Sequence, residues 1–456
     1  TYIDRYKANI LADGSTVVAE RVSFAPQPQS AMTIIDQHTG YVKAIIGGRG
    51  TKTASLTLNR ATDSTRQPGS TFKIVSTYAP ALNEKGMTLA TTYEDEPITY
   101  ENGAPVNNAS GSFNGTTTIR TAIRNSVNTV AVQCFEDVTP ELGLKYLDNF
   151  GFTTLAHGTE ADTDANGNVF TDANLPTALG GLTYGVTNVE LCAAYAAIAN
   201  NGNYIKPVYY TKILDHNGNV LIENNSAGRS VIKETTAYLL TSAMEDVVQN
   251  GTGTACQLDN MAIAGKTGTT EDYNDLWFVG YTPYYTCAVW SGYDGNQKMP
   301  EGDARNFHKT LWRKVMNRIH QGMEYKDFEQ PDGIEQISIC SETGLLPRVG
   351  CPVTEEYFDI GTMPTDYCDQ HFYEYTEDEE NTDENIDEDG QMEIYDDTTQ
   401  NPDDPGNTDN TETPDTPEDP GAGQDPGTGE NPGASEDPGD GGNDGVDESG
   451  DIVYYN

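Results

Sequence analysis

The chain has 456 residues, carries 71 Asp and Glu against 26 Lys and Arg, and has a formal net charge of −45. Nucleic acid binding needs a basic surface for the phosphates, so this balance excludes nucleic acid as a partner. No run of the sequence approaches the roughly 18 consecutive apolar residues of a membrane-spanning helix.

The first elements in chain order are a connecting segment and a strand pair. Residues 1–28 lack a clear hydrophobic period and contain Pro26-Gln27-Pro28, which is typical of a linker. Residues 31–36 and 41–46 flank His38-Thr39-Gly40 and predict a β-hairpin.

Helical periodicity dominates the middle of the chain. A helix begins at Ser70 and carries apolar residues at helical spacing, namely Phe72, Val75, Tyr78 and Leu82. Further helices are predicted over 119–135, 141–150, 187–200 and 234–249. The 119–135 helix carries Ser126. The 187–200 helix begins with a capping box, Thr187-Asn188-Val189-Glu190, and its Ala-rich body indicates that it is buried.

Strand-forming sequence returns after residue 261. Segments 262–269, 276–281 and 285–293 are rich in β-branched and aromatic residues and predict three strands. An amphipathic helix over 307–323 follows. The order of strand pair, helices, three strands and helix predicts a sheet assembled from both ends of the domain, with helices packed on it.

The end of the chain is strongly acidic. From Glu374 onward the sequence has 29 Asp and Glu and no Lys or Arg, and it repeats Asp-Pro-Gly. With almost no apolar residues, this stretch cannot bury enough surface to offset the entropy of ordering. We expect 376–456 to be a disordered, solvated tail, in preference to a spacer or a loose binder of divalent cations.

Three short motifs are candidates for chemistry. Ser70-Thr71-Phe72-Lys73 places a hydroxyl and an amine one helical turn apart, and Ser126-Val127-Asn128 and Lys266-Thr267-Gly268-Thr269 follow in the chain. A Ser-x-x-Lys pattern alone arises by chance in a chain of this length, so the order of the three motifs carries the weight.

The first motif indicates nucleophilic catalysis. A serine hydroxyl needs a positioned base at neutral pH, and the sequence has no Gly-x-Ser-x-Gly elbow and no His near Ser70. Lys73 is therefore the candidate base. Burial and a second cation, Lys266, would favour its neutral form. The sequence leaves open which lysine holds the proton at each step.

The helix start and the third motif together predict an oxyanion hole. The Ser70 amide lies at a helix N-terminus and supplies one donor, and the Thr269 amide is expected to supply the other. We expect Gly268 to leave room for a substrate backbone, and the Thr267 and Thr269 hydroxyls to hold a carboxylate near Lys266.

The second motif supplies polar groups to the same chemistry. Ser126 offers a second hydroxyl for proton relay, and Asn128 offers an amide that can orient a substrate carbonyl. Taken alone, Ser-Val-Asn is typical of an ordinary helix start. Its place in the constellation gives it a functional interpretation.

In this order the three motifs resemble the signatures of penicillin-recognising serine enzymes, the penicillin-binding proteins and serine β-lactamases. Further segments over about 25–325 resemble the transpeptidase domain of class A, bifunctional penicillin-binding proteins: Leu58-Asn59-Arg60-Ala61, Arg66-Gln67-Pro68-Gly69, Pro105-Val106-Asn107-Asn108, Gly115, Thr118-Ile119-Arg120, Ala178-Leu179-Gly180-Gly181, Gly185-Val186-Thr187 and 274–283. Residues 340–371 resemble a short extension of Gram-positive members.

The resemblance implies a fold and a domain plan. The fold is mixed α/β, with a five-stranded antiparallel sheet flanked by helices and an all-helical subdomain. We expect a linker remnant over 1–28, the transpeptidase domain over 29–325, a small Cys-containing extension over 326–375 and the disordered tail over 376–456.

The resemblance also implies a D,D-transpeptidase that cross-links peptidoglycan outside the cytoplasmic membrane and is inhibited by β-lactams. Its substrates would be a D-Ala-D-Ala stem-peptide donor and an amine acceptor, with no cofactor and no metal. The implied roles are Ser70 as nucleophile, Lys73 as base, Ser126 as proton relay, Asn128 and Lys266 in the substrate and proton network, and Thr267 and Thr269 as carboxylate holders.

One departure from class A proteins bears on activity. Those proteins carry a membrane helix and a glycosyltransferase domain upstream, and this sequence shows neither. We expect the chain to begin in the interdomain linker, to lack glycan polymerisation and to reach a membrane only through an N-terminal anchor that is missing here.

Three rival functions stay open. A D,D-carboxypeptidase or serine β-lactamase shares the fold, but no Glu is placed by a convincing motif between Ser126 and Lys266, and β-lactamases are more compact than this body. A non-catalytic β-lactam sensor is a second rival. A third is an inert scaffold whose acidic tail binds the envelope.

The seven cysteines fall into two groups. Four lie in apolar surroundings and are expected to be small buried hydrophobes: Cys134, Cys192, Cys256 and Cys287. The other three, Cys340, Cys351 and Cys368, crowd a loop-rich segment that ends in His371. A disulfide, free thiols and a zinc site are all conceivable there, and a Cys351–Cys368 disulfide is the preferred pair.

Overall fold

The computed structural model describes residues 2–10, 17–25, 27–52, 55–224 and 227–371, and side chains from residue 27 onward. The tail predicted to be disordered over 376–456 lies outside the described residues. Within the described residues, no helix is both long and apolar enough to cross a membrane.

The strands, in chain order, are β1 (Tyr2–Ile10), β2 (Val17–Ala25), β3 (Gln29–Asp36), β4 (Tyr41–Ile46), β5 (Thr92–Asp95), β6 (Ile98–Thr99), β7 (Pro105–Val106), β8 (Gly115–Thr118), β9 (Asn203–Ile205), β10 (Lys212–Leu214), β11 (Val220–Glu223), β12 (Gly228–Ser230), β13 (Ala264–Thr269), β14 (Asp275–Tyr281), β15 (Thr286–Gly292), β16 (Ile334–Cys340) and β17 (Val353–Asp359). The α-helices are α1 (Ala79–Glu84), α2 (Ile119–Asn125), α3 (Asn128–Val138), α4 (Pro140–Asn149), α5 (Asn188–Ala199), α6 (Glu234–Gln249) and α7 (Phe307–Ile319).

A five-stranded antiparallel sheet lies at the centre, in the order β13-β14-β15-β3-β4. Strands β14 and β15 are buried along their whole length, and Trp277 lies opposite Trp290 in their register. Strand β15 pairs with β3, with Ala31 opposite Trp290, so the β3–β4 hairpin joins strands β13 to β15 from much later in the chain. The predicted sheet assembled from both ends of the domain is confirmed.

Helices cover both faces of this sheet because alternate strand residues point to opposite sides. On one face Phe278 and Val289 pack with Trp312 and Met316 of α7. On the other face Trp277 and Trp290 join the larger core. The mostly apolar α5 lies in that core. In its capping box the Glu190 backbone N–H donates to the Thr187 hydroxyl, and the Thr187 backbone N–H donates to the Glu190 carboxylate. This confirms the predicted buried helix.

The segment that begins at Ser70 is helical but is not an α-helix throughout. A 3₁₀ turn over Gly69–Thr71 leads into a π-helical turn over Lys73–Tyr78 and then into α1. The Ala79 amide bonds the Ile74 carbonyl, five residues back. Pro80 has no amide proton to donate, which favours this wider turn.

The predicted helix over 119–135 is in fact two helices. Helix α2 ends at Asn125 and α3 begins at Asn128, and Ser126 between them has the left-handed backbone angles φ 58° and ψ 43°. The Ser126 and Val127 carbonyls accept hydrogen bonds from the Lys73 amine. This amine takes the place of the backbone N–H groups to which they would bond in a continuous helix. The break is therefore part of the candidate site.

Several regions contain strands that the sequence did not suggest, among them β5 to β12 in the middle of the chain. The backbones of β1 and β2 pair antiparallel within the segment interpreted as a linker. Strands β16 and β17 form a second hairpin in the Cys-containing segment, where Ile339 and Phe358 pack over Ala90. Arg120 of α2 donates to both carboxylate oxygens of Glu356 on β17, each at 2.6 Å.

The seven cysteines are free thiols. Burial of Cys134, Cys192, Cys256 and Cys287 confirms their interpretation as small hydrophobes. The preferred Cys351–Cys368 disulfide is wrong, because the third thiol of that segment, Cys340, and the His371 ring gather at the same point. No two of the sulfurs form a separate pair.

Candidate active site

The Ser70 turn is held between two other backbone segments. Gly69, with φ +55°, lies against the backbone of Thr269 on β13, so a Cβ on Gly69 would stand 3.0 Å from the Thr269 carbonyl oxygen. On the other side, a Cβ on Gly180 would stand 2.4 Å from the Gly69 carbonyl oxygen. Glycine at both positions lets the three segments approach and fixes the Ser70 amide beside β13.

Buried donors fasten the same turn. The Trp277 indole donates to the Gln67 carbonyl at 2.9 Å, and the Tyr195 hydroxyl donates to the Thr71 carbonyl at 2.7 Å. Gln67 exchanges two further hydrogen bonds with the backbone of Leu182, at 2.7 and 2.8 Å. These contacts place Ser70 on a rigid support.

The Lys73 amine is buried and surrounded by oxygen acceptors. It donates to the Ser126 carbonyl at 2.8 Å, the Val127 carbonyl at 3.1 Å and the Asn128 side-chain oxygen at 2.6 Å. The Ser126 hydroxyl lies 3.4 Å away. The Lys73 position is therefore set by the break between α2 and α3.

Ser126 links the two lysines of the motifs. Its hydroxyl accepts from the Lys266 amine at 2.8 Å, and the same amine donates to the Thr267 carbonyl at 3.1 Å. The left-handed backbone of Ser126 turns its carbonyl to Lys73 while its side chain meets Lys266. One residue thus contacts both amines.

Burial of two neighbouring amines disfavours their charged forms. Desolvation, followed by the charge of Lys266, lowers the pKa of Lys73 well below its usual value. Desolvation also lowers the pKa of Lys266 to about 7. Both shifts favour the neutral amine, and the pKa of Lys266 places its titration near neutral pH.

Asn128 is held in place by hydrogen bonds that lead back to a buried carboxylate. Its side-chain oxygen accepts from the Lys73 amine, and its side-chain N–H donates to the Asn107 carbonyl at 2.6 Å. The Asn128 backbone N–H donates to the Asn108 side chain at 2.8 Å, and Asn108 donates to Asp95 at 2.6 Å. Asp95 lies 1% exposed and anchors this network.

A cavity of about 470 Å³ opens above the turn. Ser70 is half-buried in its wall, next to Asn128 and Thr269, and Tyr100 and Glu271 line it farther out. A ligand in this cavity therefore reaches the serine, the amide of Asn128 and the end of β13 together.

The structure brings most of the predicted site residues together. Lys73, Ser126, Asn128 and Lys266 form one hydrogen-bonded cluster, and Ser70 and Thr269 share the cavity wall. Among the described residues, the hydrogen bonds of the Lys73 amine go to the 126–128 segment and none is recorded to the Ser70 hydroxyl. The Thr267 hydroxyl shares a 2.7 Å hydrogen bond with Thr252.

Gly268 has a packing role that the sequence did not suggest. A Cβ there would stand 2.6 Å from the Pro68 carbonyl oxygen and 2.8 Å from the Thr71 methyl group. The glycine makes room for the Ser70 turn, which packs on that side of β13, and the expected space for a substrate backbone stays a prediction.

Several residues that shape the site belong to none of the three motifs. Tyr195, Trp277, Asn108 and Asp95 act through hydrogen bonds to backbone or to other side chains, and each lies far in sequence from its partner. Gln67, Asn108 and Trp277 lie in segments that resemble the family, but outside its three motifs. A buried polar side chain needs a partner, which is the one signal that such residues leave in a sequence.

A match to a protein-family model identifies the family that has this site. The model described as the penicillin binding protein transpeptidase domain matches residues 30–317, more than half of the chain. The chain belongs to the penicillin-binding protein transpeptidase family. A second model, the penicillin-binding protein 1A C-terminal domain, matches residues 330–373.

Curated relatives agree with this family. Penicillin-binding protein 1A of Clostridium tetani is 35% identical over 364 residues, which cover 76% of this chain and 45% of the relative. Penicillin-binding protein 1A/1B of Bacillus subtilis is 29% identical over 383 residues, covering 79% and 39%. The resemblance to Gram-positive class A members is confirmed. The chain spans less than half the length of these relatives.

Solved structures of the family share the fold. Penicillin-binding protein 1A from Haemophilus influenzae matches with a TM-score of 0.64 at 24% identity, over 79% of this chain and 56% of that one. The PonA1 protein from Mycobacterium tuberculosis, solved in complex with penicillin V, matches with a TM-score of 0.58 at 26% identity, over 67% and 82%. The predicted mixed α/β fold is confirmed.

Proposed function

We propose that this chain is a serine D,D-transpeptidase that cross-links peptidoglycan stem peptides outside the cytoplasmic membrane and is acylated by β-lactams at Ser70. The observation that carries the proposal is the pair of buried lysines joined through Ser126, beside a cavity that exposes Ser70. Within this proposal residues 29–325 are the catalytic domain and 326–375 a small extension.

In the first step Lys73 accepts the Ser70 proton as the hydroxyl attacks the carbonyl of the penultimate D-Ala. Its lowered pKa supports a neutral amine ready for this step. The present hydrogen bonds of Lys73 go to the 126–128 segment, so the amine has to turn its lone pair toward Ser70 when the donor peptide binds. Such tightening on substrate binding is common for catalytic hydrogen bonds.

The backbone then stabilises the tetrahedral intermediate. The Ser70 and Thr269 amides belong to segments that pack directly on one another through Gly69, which supports their joint use as an oxyanion hole. Loss of one such donor typically costs on the order of 3 kcal/mol in the transition state.

The second half of the reaction uses Ser126 and the other lysine. Ser126 relays a proton to the departing D-Ala, with Lys266 as its hydrogen-bonded neighbour. The Asn128 amide orients the stem peptide, and Thr267 and Thr269 hold its terminal carboxylate near Lys266. An acceptor amine from a second stem peptide then attacks the acyl-enzyme and regenerates the Ser70 hydroxyl.

Labelling with a fluorescent penicillin tests the proposal. We expect one label per chain, located on Ser70 by mass mapping and stable for many minutes, and no label on Ser70→Ala. Ser76→Ala is the matched control, because this buried hydroxyl bonds only nearby groups of its own helix, the Phe72 carbonyl and the Thr77 hydroxyl. It should keep the label.

Two outcomes would overturn the transpeptidase assignment. Rapid release of the label with turnover of the drug indicates a β-lactamase. A stable label combined with no cross-linking of nascent glycan by wild-type chain, in an assay where a known transpeptidase works, indicates a β-lactam sensor.

A further inference from the structure

The extension that follows the catalytic domain gathers four side chains that the transpeptidase chemistry does not use. Cys340 ends β16, Cys351 precedes β17, and Cys368 and His371 lie on the segment after β17. The three Sγ atoms and one ring nitrogen lie within 4.8 Å of one another. Residues from three separate segments thus meet at one point.

The separations of two sulfurs from His371 are close to those of a tetrahedral zinc centre. With Zn–S near 2.3 Å and Zn–N near 2.05 Å, the edges of such a tetrahedron are about 3.8 Å between sulfurs and about 3.6 Å between sulfur and nitrogen. The His371 Nδ1 atom lies 3.5 Å from Cys340 Sγ and 3.3 Å from Cys368 Sγ. A Cys₃His set is also one of the common ligand sets of structural zinc.

The surroundings of the cluster support metal ligation. The other nitrogen of His371, Nε2, lies 3.0 Å from a carboxylate oxygen of Glu342, the arrangement that orients histidine ligands in metalloproteins. The Arg348 backbone N–H donates to Cys351 Sγ at 3.2 Å. Backbone N–H groups of Glu342 and Thr343 point at Cys340. Such donors stabilise thiolates, the form in which cysteine binds zinc.

A disulfide explains this arrangement less well. A disulfide between any two of the three sulfurs leaves the third thiol and the oriented histidine unbonded at the same point. One metal ion would coordinate all four side chains. We propose that Cys340, Cys351, Cys368 and His371 bind one zinc ion, which fastens the loop between β16 and β17 to the segment after β17.

The place of the cluster indicates a structural role. The Gly344 turn inside this loop packs so closely on the catalytic domain that a Cβ would stand 2.2 Å from the Ala90 carbonyl oxygen. Four protein ligands leave no open position for a substrate. Zinc would therefore hold the surface with which the extension contacts the catalytic domain, and its binding displaces the thiol protons.

Metal analysis of the full chain tests this proposal. The chain is expressed with export from the cytoplasm and purified without chelator or reductant. Its zinc content is then measured by elemental mass spectrometry. We expect about one zinc per chain. Replacing zinc by Co²⁺ should give the visible absorption of a tetrahedral thiolate site.

Matched variants locate the ligands. Cys368→Ala should bring zinc close to zero, whereas Cys256→Ala, a buried cysteine of the catalytic domain, should leave it unchanged. Glu342→Gln should weaken zinc affinity on the order of 10-fold, measured by competition with a chelator. Glu355→Gln, an exposed carboxylate on β17, is its control. Retained penicillin labelling shows that each variant is folded.

Two results would overturn the zinc site. One is a chain that contains no zinc and carries a disulfide between two of these cysteines, seen as a mass loss of two hydrogens and as blocked thiols. The other is undiminished zinc content in Cys368→Ala.

Discussion

At the scale of single residues, Ser126 joins the two lysines into one proton network. Its carbonyl accepts from Lys73 and its hydroxyl from Lys266. A serine in the left-handed region costs on the order of 1 kcal/mol or more relative to helical geometry. The hydrogen bonds to two buried amines offset that cost, which ties the local backbone to the chemistry.

Ser126→Ala should slow acylation by a penicillin by roughly 10² to 10⁴-fold, because the proton relay and the partner of Lys266 are lost together. Stopped-flow measurement of the acylation rate checks this. Ser76→Ala should remain within a few-fold of wild type. An acylation rate of Ser126→Ala equal to wild type would remove this hydroxyl from the mechanism.

The pH dependence of acylation should report Lys266. Burial lowers its pKa to about 7, so the amine is protonated below and neutral above this pH. If the charged form holds the substrate carboxylate, acylation falls as pH rises through about 7.

Lys266→Arg keeps its charge at all these pH values, so the falling limb should move to higher pH even if the maximal rate drops. The measurement is the rate of acylation between about pH 5 and pH 9. A falling limb at the same pH in both proteins would assign it to another group.

At the scale of elements, strand β13 fits against the Ser70 turn through glycine. Gly268→Ala would drive a methyl group into the Pro68 carbonyl at 2.6 Å. We expect a loss of stability of about 1–3 kcal/mol and a fall in acylation of at least an order of magnitude, because the Ser70 and Thr269 amides separate.

Chemical unfolding and penicillin labelling measure the two effects of Gly268→Ala. Gly361→Ala is the control, since a Cβ at that glycine has no neighbour within 4 Å. If the Gly268 variant has wild-type stability and labelling, the close fit of these segments has no energetic consequence.

Many of the secondary-structure elements were predictable from the sequence. Periodicity located the central strands and α5 and α6 to within a few residues, since their hydrophobic patterns match their burial. The break at Ser126 was not predictable, because its cause is Lys73, an amine 53 residues upstream. The packing role of Gly268 was hidden for the same reason. The sequence grouped Cys340 with Cys351 and Cys368 near His371, but their spacing could not decide between a disulfide, free thiols and a metal site.

At the scale of the whole molecule, one ion pair connects the Cys-containing extension to the catalytic domain. Arg120 donates to both oxygens of Glu356, whose side chain is only 4% exposed. The guanidinium also donates to the Ser242 carbonyl and hydroxyl on α6. The pair thus joins α2, α6 and β17.

Glu356→Ala should destabilise the chain by on the order of 3–5 kcal/mol, because the Arg120 guanidinium is left largely buried without its counter-ion. Hydrogen exchange should accelerate across β16 and β17 before it does in the central sheet. Glu335→Ala, at an exposed position of β16, is the matched control. Equal exchange rates in the two variants would show that the extension does not depend on this pair.

The antiparallel union of β3 with β15 constrains how the protein is made. Ser30 donates to the Trp290 carbonyl, 260 positions further along the chain, so the β3–β4 hairpin is synthesised long before the strand that pairs with it. Contacts this distant slow folding, and until they form β3 exposes an apolar edge that is buried in the finished sheet. A chain that stops before residue 286 therefore cannot complete this sheet, and its β3–β4 hairpin is a site for aggregation or chaperone binding.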